Sequence, residues 1–364
     1  MKQLVLLLSF LSFSQAQSLG VGAHRKIFAV VSPVSCTPAP GYAHCRGLTI
    51  DHTQVGGLTL TNFPVLVSTT LGVSRLQNAS CFDKVYTSDS GGMTLIPWEQ
   101  ESCTQSTGVI VDWVLCASCS SSADTILYMS YDNSGISTAQ NTGANGPTHV
   151  WDANYVGVWH IPDGTTLSAA DSTGVNNGSF CSGSPNTAAT TGQIDGGLGG
   201  SGNGLDCMTV PTSASLQQQT FTASVWAKFP DVSNVSDFFV NGNILFRLNG
   251  DSSVALLVSG IAGIVGSSEK LSAGTFYYLV ASYNSATGVG NVYVNGTADS
   301  GTNSQTFSFS SNLFLNAFNE NIGELGYVMD ELRFSKAVRP SGQITAEYNN
   351  QKSGSTFLRI GAEI

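Results

Sequence analysis

Apolar residues in this chain come in short runs bounded by Gly, Ser, Asn and Asp. RGLTIDH, FPVLVST, FDKVYTS, GVIVDWVL and TILYMSY follow one another from residue 46. Each is rich in β-branched and aromatic residues and flanked by turn formers, the pattern of a strand. A polar stretch without period comes next, DNSGISTAQNTGANGPTH at 132–149, and reads as a domain boundary. Beyond it lie YVGVWHI, FTASVWAKF, NILFRLN, SVALLVSG, TFYYLVASY, GNVYVNG and NLFLNAF. Asn295-Gly296 predicts a two-residue hairpin turn. One segment has helical spacing, RPSGQITAEYNNQ at 339–351, with Ile344 and Tyr348 on one face and Ser341 placed to cap it. STFLRIG then reads as a closing strand. The pattern predicts an all-β chain of two β-sandwich domains, residues 45–147 and 148–364.

The strand in YVMDELRFSKAVRP, 327–340, poses a question. Side chains alternate with period two. That places Asp330 beside Val328, Leu332 and Phe334 on the core face, and leaves Glu331 and Arg333 as a surface pair. A buried carboxylate needs a partner. Loop N–H groups or a bound cation would each serve.

The N-terminus, MKQLVLLLSFLSFSQAQS, has a basic start, a short apolar run and a small-x-small site, so residues 1–16 read as a secretory signal peptide. Residues 17–44 form a leader or linker. No later run is apolar for long enough to span a bilayer. Only 10% of residues are charged and the formal net charge is −10. The 14 basic residues are scattered, which argues against nucleic acid and anionic membrane as partners. The expected location is outside the cell or on its surface.

Eight cysteines follow the leader's cleavage site, all before residue 208. An even count in an exported chain points to disulfides, with many pairings open. Local closure predicts Cys36–Cys45, Cys81–Cys103, Cys116–Cys119 and Cys181–Cys207. Cys116-Ala-Ser-Cys119 has no second close pair for a zinc ribbon and does not open a helix, so it reads as a small loop disulfide.

Four stretches carry a resemblance: LTIDHTQVGGLTLTNFPVLVS, VWDANYVGVWHIPDG, DSTGVNNG and MDELRFSKAVRPSGQITAEYNNQKSGSTFLRIG. Together they resemble bacterial exported proteins with a small β domain of unknown function followed by a laminin-G-like domain of the concanavalin A-like lectin/glucanase superfamily. The resemblance implies a concanavalin A-like jelly roll for the second half. It also implies a structural calcium near DSTGVNNG, with Asp171 and Asp330 as ligands and Asn176 as a third.

That fold hosts binders, adhesion modules and hydrolases. A glucanase of the superfamily uses Glu-x-Asp-x-x-Glu on one strand, and Glu324, Asp330 and Glu331 do not match that spacing. The chain has no Gly-x-Ser-x-Gly elbow and no His-Glu-x-x-His. Its five histidines form no close pair, and His160 reads as a structural hydrogen-bonding residue. The expected function is a non-catalytic binding or adhesion protein, recognising carbohydrate or another surface ligand. A glycoside hydrolase and a purely structural matrix component are the alternatives. Stacking on sugar rings would need exposed aromatics, with Trp151, Tyr155 and Phe318 as candidates. Trp159 and Trp226 are assigned to the core.

Overall fold

The structure, a computed structural model, describes residues 34–161, 167–180, 188–199, 207–258, 263–309, 312–315 and 327–364. The signal peptide, Phe318, Glu324 and Cys181 lie outside the described residues.

The chain is all-β, as the short apolar runs predict, with one α-helix, Ser341–Gln351, among the described residues. Pro340 takes the N-cap position and Ser341 is the first helical residue, so the serine does not cap. The first sandwich pairs a four-stranded sheet with a three-stranded one. The four-stranded sheet runs Leu358–Ile360, His44–Ile50, Thr125–Tyr131, Lys84–Thr87. The three-stranded sheet runs Leu60–Thr70, Val109–Cys119, Trp98–Thr104. Leu48, Phe63, Val65, Trp98, Val114 and Met129 fill the space between them. Disulfides join Cys36 to Cys45, Cys81 to Cys103, and Cys116 to Cys119.

The second sandwich is larger. In its eight-stranded sheet Phe221–Lys228 lies between Phe276–Asn284 and Val328–Ser335. Opposite stands a seven-stranded sheet that includes Ser236–Asn241, Ile244–Leu248 and Val254–Val258. Trp159, Phe221, Phe239, Phe246, Leu279, Leu332 and Phe334 are among the residues packed between the two. The hairpin at Asn295-Gly296 forms as predicted. Both residues take positive φ, 52° and 85°, and Val294 faces Thr297 across the turn.

Two features depart from the sequence reading. The C-terminal strand Leu358–Ile360 does not close the second sandwich. It pairs antiparallel with Leu48–Ile50 of the first, and Phe357 is buried in the first core. In addition, the eight-stranded sheet is covered on both faces. Its outer face packs under the helix through Trp226, Tyr278, Val280 and Ile344, and against the three-stranded sheet through Leu66, Val111, Trp113, Val150, Trp151 and Val158.

Candidate functional site

Strand Val328–Ser335 carries a bulge. Its pairing with Phe221–Lys228 shifts between Ser224↔Arg333 and Trp226↔Asp330, which inserts one extra residue at Glu331. Glu331 has φ 55°, the left-handed region that a long side chain rarely adopts. One added residue inverts the alternation downstream. Met329, Leu332 and Phe334 therefore face the core, while Asp330, Glu331 and Arg333 all face outward. Outward here is not solvent, because that face meets the three-stranded sheet. The expectation of a surface Glu331–Arg333 pair is thereby corrected: Glu331 is 0% and Arg333 2% exposed.

These residues join a buried polar network between the sandwiches. His160 Nδ1 lies 2.6 Å from Glu331 Oε1, and Arg333 Nη2 donates to Glu331 Oε2 at 2.7 Å. The Arg333 guanidinium sits over the rings of Trp113 and Trp151, 4.5 and 5.0 Å from their centroids. Trp113 Nε1 donates to Glu101 at 2.7 Å and Trp151 Nε1 to Glu99 at 2.8 Å. Glu347 on the helix accepts from Tyr155 at 3.0 Å and from Tyr278 at 2.6 Å. Trp151 and Tyr155, candidates for exposed sugar-stacking rings, are instead buried anchors whose polar ends are held by carboxylates. Trp159 and Trp226 are in cores as expected. His160, directly after strand Tyr155–Trp159, is buried between Glu331 and Glu99.

Electrostatics make this network a clamp. Burial alone would lower the His160 pKa, but the Glu331 and Glu99 carboxylates outweigh it and hold the imidazole well above its ordinary value. Burial would raise Glu331, but His160 and Arg333 overcome it and hold the carboxyl below the usual range. A raised histidine stabilises the fold fully below its unfolded pKa, about 6.5, and loses that contribution as pH climbs through the folded value. A depressed carboxyl contributes above its unfolded pKa and loses it as pH falls through the folded one. Thermal melts from about pH 6 to about pH 9 should therefore show a midpoint falling on the alkaline side, with a flatter profile in His160→Gln. Parallel profiles for the two proteins would refute the clamp.

Asp330 answers the question its strand posed. Its Oδ2 accepts from the backbone N–H of Gln193 and of Ile194, each at 2.8 Å. The loop passes so close that a Cβ at Gly192 would lie 2.6 Å from Asp330 Oδ2 and 1.9 Å from the Gly196 carbonyl. Asp171 is likewise enclosed. It accepts from the N–H groups of Val158, Thr173, Val175 and Asn176 and from the Thr173 hydroxyl. Five donors exceed the roughly four lone-pair sites of a carboxylate. The Asn176 side chain donates to the Val156 carbonyl at 2.5 Å and accepts from Ser213 at 2.6 Å. The oxygens of Asp171 and Asn176 already serve the fold, whereas Asp330 Oδ1 is buried without a hydrogen-bond partner while its Oδ2 holds a different loop, at 193–194. Glu101, His160 and Glu331 bring ligand atoms within 4.8 Å of one another, yet Arg333 already supplies positive charge there. Asp51, His52 and Asp124 also cluster, with Arg359 bridging both aspartates at 2.7 and 2.6 Å.

An open pocket of about 350 Å³ adjoins the clamp. Its wall combines Leu66 and Ser68, the 193–195 loop, the end of the helix from Asn350 to Ser355, and Leu358 and Ile360. The carboxylate of Asp330 holds the loop. Gln193 Nε2 ties that loop to the Gln351 carbonyl at 3.1 Å and to Ser353 Oγ at 3.2 Å. Asn350 Oδ1 accepts from Leu66 N at 2.7 Å and fixes the helix to the strand. Sequence reasoning missed this pocket, because its walls come from three distant segments.

Residues 201–345 match the Concanavalin A-like lectin/glucanases superfamily, Laminin_G_3. No curated protein matches the chain. Among solved structures, it is similar to domain 4 of AbnA, a GH43 extracellular arabinanase from Geobacillus stearothermophilus, in complex with arabinotriose. Identity is 20% and the TM-score 0.45, covering 53% of this chain and 97% of that one. It is similar to Trypanosoma rangeli sialidase in complex with sialic acid at 12% identity and TM-score 0.43, covering 64% of this chain. The chain spans 42% of that sialidase's length. It is also similar to the botulinum neurotoxin type G receptor-binding domain, at 11% identity and TM-score 0.42, covering 55% and 52% of the two chains. None of these likenesses bears on activity.

Proposed function

We propose that this chain is an exported, non-catalytic binding protein that takes a carbohydrate at the pocket between the 193–195 loop, the helix end and the C-terminal strand. One observation carries the reading: the open pocket is lined mainly by neutral hydroxyl and amide side chains over aliphatic residues, while the perturbed carboxylates beside it are sealed. Hydroxyl and amide groups match the donors and acceptors of a polyhydroxylated ligand, and the aliphatic floor takes its C–H faces. A glycosidase needs two carboxyl groups flanking a bound sugar. Glu101 and Glu331 are instead walled in by Trp113, Trp151 and Arg333. The match over residues 201–345 supports the carbohydrate class. The disulfides of the described residues and the apolar leader support export.

A glycan array probed with the intact mature chain tests this. Binding to at least one saccharide is expected. Gln193→Ala and Lys352→Ala should each weaken it about 5-fold to 10-fold, the scale of one lost hydrogen bond. No binding to any saccharide would overturn the reading, and binding untouched by both variants would overturn the location.

A further inference from the structure

Inside the first sandwich a lysine and an aspartate meet in a setting that no surface function uses. Lys84 and Asp112 are both 0% exposed. Lys84 stands on an edge strand of the four-stranded sheet and Asp112 at the centre of the facing sheet. The Lys84 Nζ lies 3.4 Å from Asp112 Oδ1, yet that oxygen has no hydrogen-bond partner. The amine donates elsewhere, to Gln100 Oε1 at 2.5 Å and to the Cys81 carbonyl at 3.3 Å. Those two acceptors use both hydrogens of a neutral amine and leave its lone pair for the carboxyl. On the other side, the Tyr86 hydroxyl donates to Asp112 Oδ2 at 2.6 Å. Trp98 closes the site, its ring centroid 4.9 Å from Nζ.

We propose that Lys84 and Asp112 form a self-modification site, condensing into an intramolecular isopeptide bond that joins the two sheets of the first sandwich. The Lys84 nitrogen, held 3.4 Å from Oδ1 of the same carboxyl group, adds to Asp112 Cγ, a step that fixed close placement of the two groups promotes. Tyr86 stabilises the negative charge that develops on Oδ2. The Nζ–Cγ bond forms and the Cγ–Oδ1 bond breaks. Oδ1 leaves as water, taking the carboxyl proton and one amine proton, and no oxidation or reduction occurs. The remaining N–H donates to Gln100 Oε1 or the Cys81 carbonyl, and the amide oxygen keeps the Tyr86 hydroxyl. The one orphaned oxygen of the ion pair is thereby expelled, which removes the cost of leaving it buried and unpaired. Burial lowers the Lys84 pKa against the pull of Asp112, and burial pushes Asp112 up to about 6 against the pull of Lys84, so both groups are shifted toward the neutral forms that condense.

Mass spectrometry on the full chain, reduced and denatured, tests the bond independently of the carbohydrate reading. The purified protein should be lighter than its sequence by one water, about 18 Da. Trypsin should fail to cut after Lys84, and a second protease should release one branched peptide containing Lys84 and Asp112. Lys84→Arg and Asp112→Ala should each restore the full mass, and Lys84→Arg should restore cleavage. Because the mass is read in denaturant, these outcomes stand even if a variant folds poorly. Tyr86→Phe should leave a measurable uncrosslinked fraction. Full mass in the unaltered chain, cleavage after Lys84, or a mass loss mapped to any other peptide would overturn the proposal and leave a buried ion pair.

Discussion

Arg333→Ala should destabilise the protein by about 3–5 kcal/mol, the range for breaking one side of a buried ion pair. Arg333 is 2% exposed, and its guanidinium compensates Glu331 while covering Trp113 and Trp151. Removing it leaves the Glu331 charge with only His160, in a cluster that also holds Glu99, Glu101 and Asp330. It also opens a void against two tryptophans. Urea unfolding of the intact chain measures the loss. Replacing both partners, as Arg333→Met with Glu331→Leu, should cost far less, because the two charges leave together and His160 keeps Glu99 and Glu101 at 3.4 and 3.6 Å. Equal losses in the single and double variants would show that packing, not charge, carries the clamp. A single-variant loss under about 1 kcal/mol would show that the network contributes no more than an exposed pair.

Deleting residues 353–364 should abolish cooperative folding of the first sandwich, although the deleted segment lies at the far end of the chain. Leu358–Ile360 covers the edge of strand His44–Ile50. Phe357 fills the first core and packs on Phe63, with ring centroids 5.8 Å apart. Glu363 accepts from Arg75 and from Tyr131 at 2.6 Å. Loss of Phe357 alone is on the scale of a buried Phe→Ala change, about 3–5 kcal/mol. The deletion adds an unpaired edge, which promotes association. Soluble yield and hydrogen exchange of strand His44–Ile50 report the effect. Native protection in that strand would refute it. By the same logic, a fragment starting near residue 150 would carry the C-terminal strand without its partner, so the two sandwiches depend on each other through that segment.

The all-β class, the Asn295-Gly296 hairpin, the helix Ser341–Gln351 and the Cys36–Cys45, Cys81–Cys103 and Cys116–Cys119 disulfides were legible in the sequence by itself. Each depends on neighbours along the chain: strand runs between turn formers, φ preferences of two residues, apolar spacing over a few helical turns, short loops between cysteines. A further signal was present in a chain with 10% charged residues. Asp83 and Lys84 in FDKVYTS and Asp112 in GVIVDWVL are charges inside strand runs, and all three proved buried. The pairing of Lys84 with Asp112 was not legible, because it depends on two strands of different sheets meeting face to face. The same limit applies to the bulge at Glu331. Period two holds only while the ladder is unbroken, and one extra residue turned Asp330 away from the core and Arg333 into a buried cation. The aromatics Trp151 and Tyr155 looked like surface residues until a second sheet covered them. The pocket exists only because Asp330 holds a loop, Asn350 grips a strand and strand Leu358–Ile360 returns to strand His44–Ile50. Local physics along the chain determined which elements form. Tertiary structure alone decided which faces are buried, because burial depends on what packs opposite, and no local pattern records that.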